Sequence, residues 1–311
     1  MNRPKITIVG AGNVGGSCAQ RLLSEQLGDV VLIDVEEGLA RGKALDLAEA
    51  APLYGSDCRI TGGKDYADTA GSDVVVITSG SPRKPGMSRD DLLKINTGIV
   101  RQVAEQAVRH SPDAVLIVVS NPLDAMTYVA YRAGEIPPER VMGMAGVLDT
   151  ARFRAFLADA LSVSSGMIDA MVLGGHGDTM VPLIRSTTVG GVPVATLLPE
   201  AQLEAIIQRV RNGGTEIVNL LKTGSAYFAP SAAIVEMVQA VVGNQRKRLP
   251  CAAYCRGEYG ARDLFVGVPA IIGRRGVEGV VEIELTPPER AAFQKSVDAV
   301  QELCRAVDRL F

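Results

Sequence analysis

Histidine is scarce in this chain of 311 residues, which contains only His110 and His176. Imidazole is the side chain best suited to proton transfer near neutral pH, so the chain offers few candidates for that role. His110 ends a predicted helix just before Ser111 and Pro112, where the helix dipole explains it without chemistry. His176 lies in Gly174-Gly175-His176-Gly177-Asp178 and is either a hydrogen-bonded turn residue or a catalytic one.

A basic excess, long apolar runs and paired cysteines are also missing. The net charge of −3 predicts no nucleic-acid-binding surface. No apolar run reaches the length of about 18 residues that a membrane span needs. Because the first predicted strand begins at residue 5, we expect no signal peptide. The five cysteines include no Cys-x-x-Cys pair and have no histidine at ligand spacing, so neither a disulfide framework nor a metal site is predicted. We expect a globular protein of the reducing cytoplasm with no nucleic-acid or membrane partner.

The N-terminal residues combine a strand, a glycine motif and an acidic residue. An apolar run at residues 5–9 predicts a buried parallel strand. It leads directly into the glycine motif, whose members are Gly10, Ala11, Gly12, Asn13, Val14 and Gly15. Asp34 ends a second predicted strand, 19 positions after Gly15. This combination predicts a dinucleotide site, with the pyrophosphate at a helix N-terminus and Asp34 accepting hydrogen bonds from the ribose. A carboxylate there repels a 2′-phosphate, which favours NAD over NADP.

Strands and helices alternate through about residue 144 and then give way to a mixed pattern. The predicted strands of the first part lie at 5–9, 29–33, 59–61, 74–78, 114–119 and 140–144, and its helices at 14–26, 36–50 and 90–109. Such alternation predicts an α/β fold with a doubly wound parallel sheet. The second part has predicted helices at 146–161, 200–222, 231–242 and from 287 onward, with strands at 249–254, 265–272 and 277–284. We place the boundary near residue 145 and expect an α+β domain after it.

Three further segments carry polar groups that a purely apolar core does not require. The segment 79–91 holds three cations and is either a loop that closes over an anion or a solvated surface loop. Asn121 precedes a proline, so its amide either projects into the cleft or serves a turn. Asp149 and Arg152 lie three apart at a predicted helix start, where Asp149 is ordinarily a cap and Arg152 a surface residue. Together they could serve an acid/base histidine and an anionic substrate.

These motifs, in this order, resemble the malate and lactate dehydrogenase family over essentially the whole chain. The matching stretches are Gly-Ala-Gly-Asn-Val-Gly at 10–15, Ser-Pro-Arg-Lys-Pro-Gly-Met-Ser-Arg at 81–89, Ser-Asn-Pro-Leu-Asp at 120–124, Gly-Val-Leu-Asp-Thr-Ala-Arg at 146–152 and Gly-Gly-His-Gly-Asp at 174–178. Within the family, the chain is most similar to the lactate-dehydrogenase-like branch of bacterial malate dehydrogenases. The resemblance implies an NAD-binding Rossmann domain at 1–145, a catalytic domain at 146–311 and a homodimer or homotetramer.

The resemblance also implies a role for each polar residue. His176 would exchange a proton with the substrate oxygen at C2, and Asp149 would hold its ring. Arg152 would bind the C1 carboxylate through a forked pair of hydrogen bonds. Arg89 would polarise the carbonyl, and Asn121 would contact substrate and cofactor. The remaining cofactor contacts implied by the family fall on Asn96 and Val119.

Substrate choice is indicated by Arg83, at a position where lactate dehydrogenases of this family carry glutamine. Arg83 would pair with the second carboxylate of a dicarboxylate, whereas pyruvate would leave that charge facing a methyl group. Lactate dehydrogenases of this family typically carry a bulkier tyrosine-threonine pair where this chain has residues 224–227. The resemblance therefore implies space here for the extra carboxylate. We therefore expect reversible oxidation of malate to oxaloacetate. The alternatives are a lactate or other 2-hydroxyacid dehydrogenase, and a non-catalytic NAD(H)-binding protein.

Overall fold

The computed structural model describes residues 3–82 and 87–311, without the side chain of Arg89. The helices are α1 Asn13–Ser24, α2 Glu37–Ala50, α3 Arg89–His110, α4 Leu123–Gly134, α5 Gly146–Leu161, α6 Glu200–Leu221, α7 Phe228–Val242 and α8 Pro287–Asp308. The strands are β1 Lys5–Val9, β2 Asp29–Ile33, β3 Ile60–Gly63, β4 Val74–Ile77, β5 Val115–Val118, β6 Val141–Gly143, β7 Ile168–Asp169, β8 Val172–Leu173, β9 Val181–Pro182, β10 Thr188–Val189, β11 Val192–Pro193, β12 Lys247–Arg256, β13 Arg262–Gly273 and β14 Gly276–Val280.

The first six strands form the parallel, doubly wound sheet that the sequence predicts. They lie in the order β3-β2-β1-β4-β5-β6, and every pairing among them is parallel. The strand order reverses between β1 and β4, which is where doubly wound sheets bind their ligands. Successive side chains alternate between the two core layers, since Val74 and Val76 join one hydrophobic cluster while Val75 and Ile77 join the other. The predicted α/β class is confirmed.

The sheet does not stop at the end of the parallel part. β12 runs antiparallel to β6, with Ala252 opposite Gly143, and β13 and β14 extend the sheet further. A Cβ at Gly143 would lie 2.9 Å from the Cβ of Ala252 and 2.4 Å from Thr127 Oγ1, so this junction requires glycine. The predicted division near residue 145 therefore falls within one continuous sheet, and it stays a prediction.

The last predicted strand, 277–284, is too long. β14 ends at Val280, although the Val281 amide still donates to the Pro269 carbonyl of β13 at 2.8 Å. From there the Tyr259 hydroxyl also binds the backbone: it donates to the Val281 carbonyl at 2.8 Å and accepts from the Ile283 amide at 2.7 Å. The two-residue strands β7 to β11 were not predicted, because such short segments show no hydrophobic periodicity.

The helices cover both faces of the sheet. α1 packs against α7, and α3 against α4, while α8 contacts both α4 and β13. Within the described residues, no helix is long and apolar enough to cross a membrane. In the same part of the chain, no three His, Cys, Asp or Glu side chains group in a way that could hold a metal ion.

Candidate active site

The three motif glycines at the carboxyl end of β1 meet three different spatial demands. Gly10 has a φ of +112°, and a Cβ there would lie 2.5 Å from Thr78 Oγ1. A Cβ on Gly15 would lie 1.9 Å from the Gly10 carbonyl oxygen, so helix and strand could not pack as they do. A Cβ on Gly12 would meet no atom of the described residues within 4 Å, so this residue borders open space among them. The motif thus combines a tight turn, close helix packing and an open backbone surface.

The beginning of α1 fits an anionic group. No side chain in the described part of the chain caps this helix at Gly12, and its first turn contains no acidic residue. The first amides of a helix have no partner within the helix and carry partial positive charge, so they suit a pyrophosphate. Asn13 is exposed and Val14 half-buried at this end. The buried Ser79 Oγ, which follows β4, has no hydrogen-bond partner among the described residues. A bound ligand would give this hydroxyl a partner.

Asp34 lies directly after β2, as predicted, and orders the turn around it. One carboxylate oxygen accepts the Ala11 amide at 2.6 Å, and the other accepts the Glu36 amide at 3.0 Å. Each oxygen retains further capacity to accept a hydrogen bond, so both ribose hydroxyls could still be bound. The half-buried carboxylate fits an unphosphorylated ribose better than a 2′-phosphate.

Asn96 connects two segments of the cleft rather than presenting a free amide. It is 1 % exposed, and its Nδ2 donates to the carbonyls of Ser81 at 3.2 Å and Asn121 at 2.6 Å. Its Oδ1 accepts the Ser81 amide at 2.7 Å. Both amide hydrogens are therefore already used. Asn121 itself is exposed, and Val119 is half-buried between β5 and this segment.

The structure brings His176, Asp149 and Arg152 together in one cluster. His176 Nδ1 lies 2.8 Å from Asp149 Oδ2, and Arg152 Nη1 donates to Asp149 Oδ1 at 3.3 Å. The side chains are 22 %, 2 % and 12 % exposed in that order. Asp149 is the fourth residue of α5 and does not cap the helix, so the ordinary interpretation of this residue is wrong. Its carboxylate instead joins the imidazole and the guanidinium.

The charge of Asp149 raises the pKa of His176 above its usual value, against the opposing effects of burial and of Arg152. The hydrogen bond from Asp149 acts in the same direction. Because Nδ1 is engaged by the carboxylate, Nε2 is the ring nitrogen available to a substrate oxygen. The cluster can therefore hold a proton near neutral pH and give it up to an adjacent oxygen.

Two residues that support the His176 segment carry no predicted role. Asp124 Oδ2 accepts the His176 amide at 2.9 Å, and Ser296 Oγ accepts the adjacent Gly175 amide at 2.6 Å. Asp124 belongs to the family motif at 120–124, and its position between Leu123 and Ala125 was a usable signal that this acidic residue has a role in the site. Ser296 offers no such signal, because it lies on the distant helix α8.

Arg83 lies outside the described residues, as does the side chain of Arg89. α3 begins at Arg89, after a capping box in which Ser88 Oγ accepts the Asp91 amide at 3.0 Å and Asp91 Oδ2 accepts the Ser88 amide at 3.2 Å. The local sequence thus fixes where the helix starts.

Two family descriptions match successive parts of the chain. Residues 4–143 match the family described as lactate/malate dehydrogenase, NAD binding domain. Residues 146–308 match lactate/malate dehydrogenase, alpha/beta C-terminal domain. A malate dehydrogenase of Desulforudis audaxviator is 58 % identical over 99 % of this chain and 100 % of that protein.

Solved structures of both enzyme types superpose closely on this chain. The malate dehydrogenase of Cryptosporidium parvum has a TM-score of 0.96 at 44 % identity, covering 99 % of both chains. The lactate dehydrogenase of the same organism, solved with lactic acid and nicotinamide adenine dinucleotide, also has a TM-score of 0.96, at 40 % identity and 99 % coverage of both chains. Backbone similarity therefore does not separate the two substrates.

Proposed function

Because the chain belongs to the lactate/malate dehydrogenase family, we propose that it catalyses the NAD-dependent, reversible oxidation of (S)-malate to oxaloacetate. The observation that carries this proposal is the contact of one buried carboxylate, Asp149, with both His176 and Arg152. His176 moves a proton and Arg152 binds a carboxylate, and the oxidation of a 2-hydroxy acid requires both. Relatives named malate dehydrogenase, 52–58 % identical over nearly the whole chain, support the choice of malate.

His176 is the acid/base of the proposed reaction. NAD, when bound, would supply the acceptor for the hydride at C2 of malate, and NADH its donor in the reverse direction. His176 Nε2 takes the proton of the C2 hydroxyl during oxidation and donates it to the carbonyl oxygen during reduction. Asp149 fixes the ring through Nδ1 and stabilises the imidazolium. The catalytic step thus couples a proton transfer at Nε2 to the hydride transfer.

Binding and orientation of the substrate fall to three side chains. Arg152 binds the C1 carboxylate, because a guanidinium can form two parallel hydrogen bonds to it. Asn121 hydrogen-bonds the substrate from the segment before α4, and Arg89 polarises the carbonyl at C2. Within the described residues, Arg152 is already oriented by Asp149 and therefore loses little freedom on binding.

The cofactor site is proposed at the switch point between β1 and β4. Gly10, Gly12 and Gly15 shape the turn, and the amides of Asn13 and Val14 face the pyrophosphate. The ribose hydroxyls bind Asp34, which favours NAD over NADP. The residues implied at the nicotinamide end are Asn96, Val119 and Asn121. Because the Asn96 amide already binds the backbone of Ser81 and Asn121, Asn96 is proposed to contribute to cofactor binding by positioning that backbone.

Steady-state kinetics with oxaloacetate and pyruvate, each with NADH and with NADPH, test the proposal. We expect kcat/KM to be highest for oxaloacetate with NADH. A value for pyruvate equal to or above that for oxaloacetate would support the alternative, a lactate dehydrogenase. The structure alone does not decide between them, because a malate and a lactate dehydrogenase superpose on this chain with the same TM-score. Absence of NADH oxidation with any 2-oxo acid would favour a non-catalytic NAD(H)-binding protein.

Gly213 of α6 gives Arg152 its space, and its replacement tests the role of that arginine. A Cβ at 213 would lie 3.1 Å from Arg152 Cδ and 3.2 Å from Nε, so Gly213→Ala must displace the side chain by a few tenths of an ångström. We expect KM for oxaloacetate to rise roughly fivefold, corresponding to about 1 kcal/mol of overpacking. Thermal stability should stay close to that of the unchanged enzyme, because the gain in helix propensity from alanine, about 1 kcal/mol, offsets the overpacking.

The adjacent glycine supplies a matched control for this variant. A Cβ at Gly214 would lie 3.9 Å from Arg152 Nη2, which is an ordinary contact. Gly214→Ala should therefore keep the wild-type KM, with KM and kcat measured for both variants and stability followed by thermal unfolding. An unchanged KM in Gly213→Ala would argue against substrate binding by Arg152.

Assembly, location and domain division are the remaining parts of the proposal. We propose a homodimer or homotetramer, as the family resemblance implies, and multi-angle light scattering of the purified protein distinguishes the two. A cytoplasmic location is favoured by the unpatterned cysteines of the sequence. The NAD-binding part is proposed to comprise residues 1–145 and the catalytic part residues 146–311.

A further inference from the structure

His176 has a second buried carboxylate beside it, on a different helix from Asp149. Asp124, in the first turn of α4, is 4 % exposed, and its Oδ2 accepts the His176 backbone amide at 2.9 Å. A Cβ at Gly175 would lie 3.3 Å from the same oxygen and 2.9 Å from Val300 Cγ2. The backbone of the His176 segment therefore approaches Asp124 closely only because residue 175 is glycine.

The other oxygen of this carboxylate is not explained by the fold. Asp124 Oδ1 is buried and has no hydrogen-bond partner among the described residues. Burying a carboxylate without full hydrogen bonding is costly, and a neutral amide could accept the His176 N–H equally well. The hydrogen bond from the His176 amide therefore does not by itself explain why residue 124 is acidic.

We propose that Asp124 is a positioning residue of the reaction, which holds the His176 backbone and adds a second negative charge that favours the protonated imidazole. This inference rests on the proposed function, in which His176 must carry a proton to reduce oxaloacetate. It assigns different tasks to the two carboxylates. Asp149 orients the ring through Nδ1, whereas Asp124 fixes the backbone and acts on the ring through space.

Among the described residues, the charged groups that act on His176 come from two helices. α5 contributes Asp149 and Arg152, and α4 contributes Asp124. On α8, Ser296 is neutral, and burial raises the pKa of Cys304 to about 12, with a smaller contribution from the charge of Asp124. The charge of Arg152 lowers the pKa of His176, and the charge of the Asp124 carboxylate acts in the opposite direction.

The titration of Asp124 agrees with this arrangement. Burial raises its pKa to about 6, and the hydrogen bond from the His176 amide lowers it. Its charge is therefore present above about pH 6 and is lost as the pH falls through that value. Where it is ionised, Asp124 adds to the effect of Asp149 in raising the pKa of His176. Removing the charge should lower the pKa of His176 at neutral and higher pH.

Asp124→Asn tests the charge, and Ser296→Ala serves as its matched control. The asparagine oxygen can still accept the His176 amide, so this variant loses the charge while keeping the hydrogen bond. Ser296→Ala removes the hydrogen bond to the neighbouring Gly175 amide without changing any charge. If Asp124→Asn is not recovered folded, Asp124→Ser removes the same charge and is measured in the same way.

Two readouts follow each variant. The first is the pH profile of kcat/KM for oxaloacetate, which for Asp124→Asn should fall off at lower pH than in the unchanged enzyme, so that activity at high pH drops several-fold relative to activity at low pH. The second is NMR titration of His176 in a His110→Gln background, where it is the single histidine. It requires no activity and should show a lowered pKa in Asp124→Asn but not in Ser296→Ala.

The outcomes separate this inference from the proposed function. A His176 titration in Asp124→Asn that matches the unchanged enzyme would overturn the assignment of a second charge. An equal displacement in Ser296→Ala would also overturn it, because the effect would then be one of geometry. Failure of the unchanged enzyme to reduce oxaloacetate would instead refute the proposed function, whatever the NMR titration shows.

Discussion

Replacement of His176 with asparagine is expected to lower kcat/KM for oxaloacetate by roughly three orders of magnitude, the usual contribution of a positioned general acid. Asparagine can donate a hydrogen bond to the carbonyl oxygen but cannot give up its proton. NADH affinity should be unchanged, since the proposed cofactor contacts lie at the switch point of the sheet. Stopped-flow or steady-state absorbance of NADH measures the loss, and fluorescence titration measures the binding.

The same variant should lose the pH dependence of the reaction. In the unchanged enzyme, the proposed role of His176 makes reduction depend on the imidazolium and oxidation on the neutral ring. We therefore expect oxaloacetate reduction to fall, and malate oxidation to rise, as the pH increases through the raised pKa of His176. The matched control is His110→Asn, at the end of α3, which should retain both rates and both profiles. A His176→Asn enzyme with more than about a tenth of the original activity would remove this residue from the chemistry.

Replacement of Arg83 with glutamine is expected to lower kcat/KM for oxaloacetate on the order of a thousandfold, because the second carboxylate of the substrate loses its charge partner in a dehydrated site. Activity with pyruvate should rise at the same time, since no unpaired guanidinium then faces its methyl group. The ratio of the two values of kcat/KM measures the change of specificity. NADH binding should remain as in the unchanged enzyme.

The neighbouring cation of the same segment supplies the control for Arg83. Lys84→Gln removes one positive charge next to it, so a general electrostatic effect on an anionic substrate would appear in both variants. We expect the specificity ratio of Lys84→Gln to stay within about threefold of the unchanged enzyme. If oxaloacetate activity survived in Arg83→Gln, pairing of the second carboxylate by this residue would be refuted.

The parallel half of the fold was predictable to within one or two residues, and the reason is physical. Its strands β4 and β5 are buried on both faces and therefore read as unbroken apolar runs. The continuity of the sheet was not predictable, because the pairing of Gly143 with Ala252 joins residues far apart in sequence. The start of α7 was also predicted three residues late, at Ser231, since Pro230 lies in its first turn, where no helical N–H is needed.

The site was predictable where chemistry restricts the choice of residue. His176 stands out because histidine is rare here, and Asp149 and Arg152 are separated by less than a helical turn. Most of what holds this cluster was not predictable. Gly213 and Ser296 act on segments far away in the sequence, and their residue types are common in ordinary helices. Of the supporting residues, Asp124 did give a signal, because an acidic side chain stands there between two apolar ones. For Asn96 the contact with the cofactor stays a prediction, and the structure adds what the sequence did not indicate, that its amide binds the carbonyls of Ser81 and Asn121.

The pairing of β6 with β12 has a thermodynamic consequence. Because backbone hydrogen bonds and the packing of α1 on α7 cross the division near residue 145, neither half can unfold without exposing an unpaired sheet edge of the other. We therefore expect the two halves to unfold together in one cooperative transition. Occupation of a site built only from the first half should then stabilise the second half as well, through mass action on one shared equilibrium.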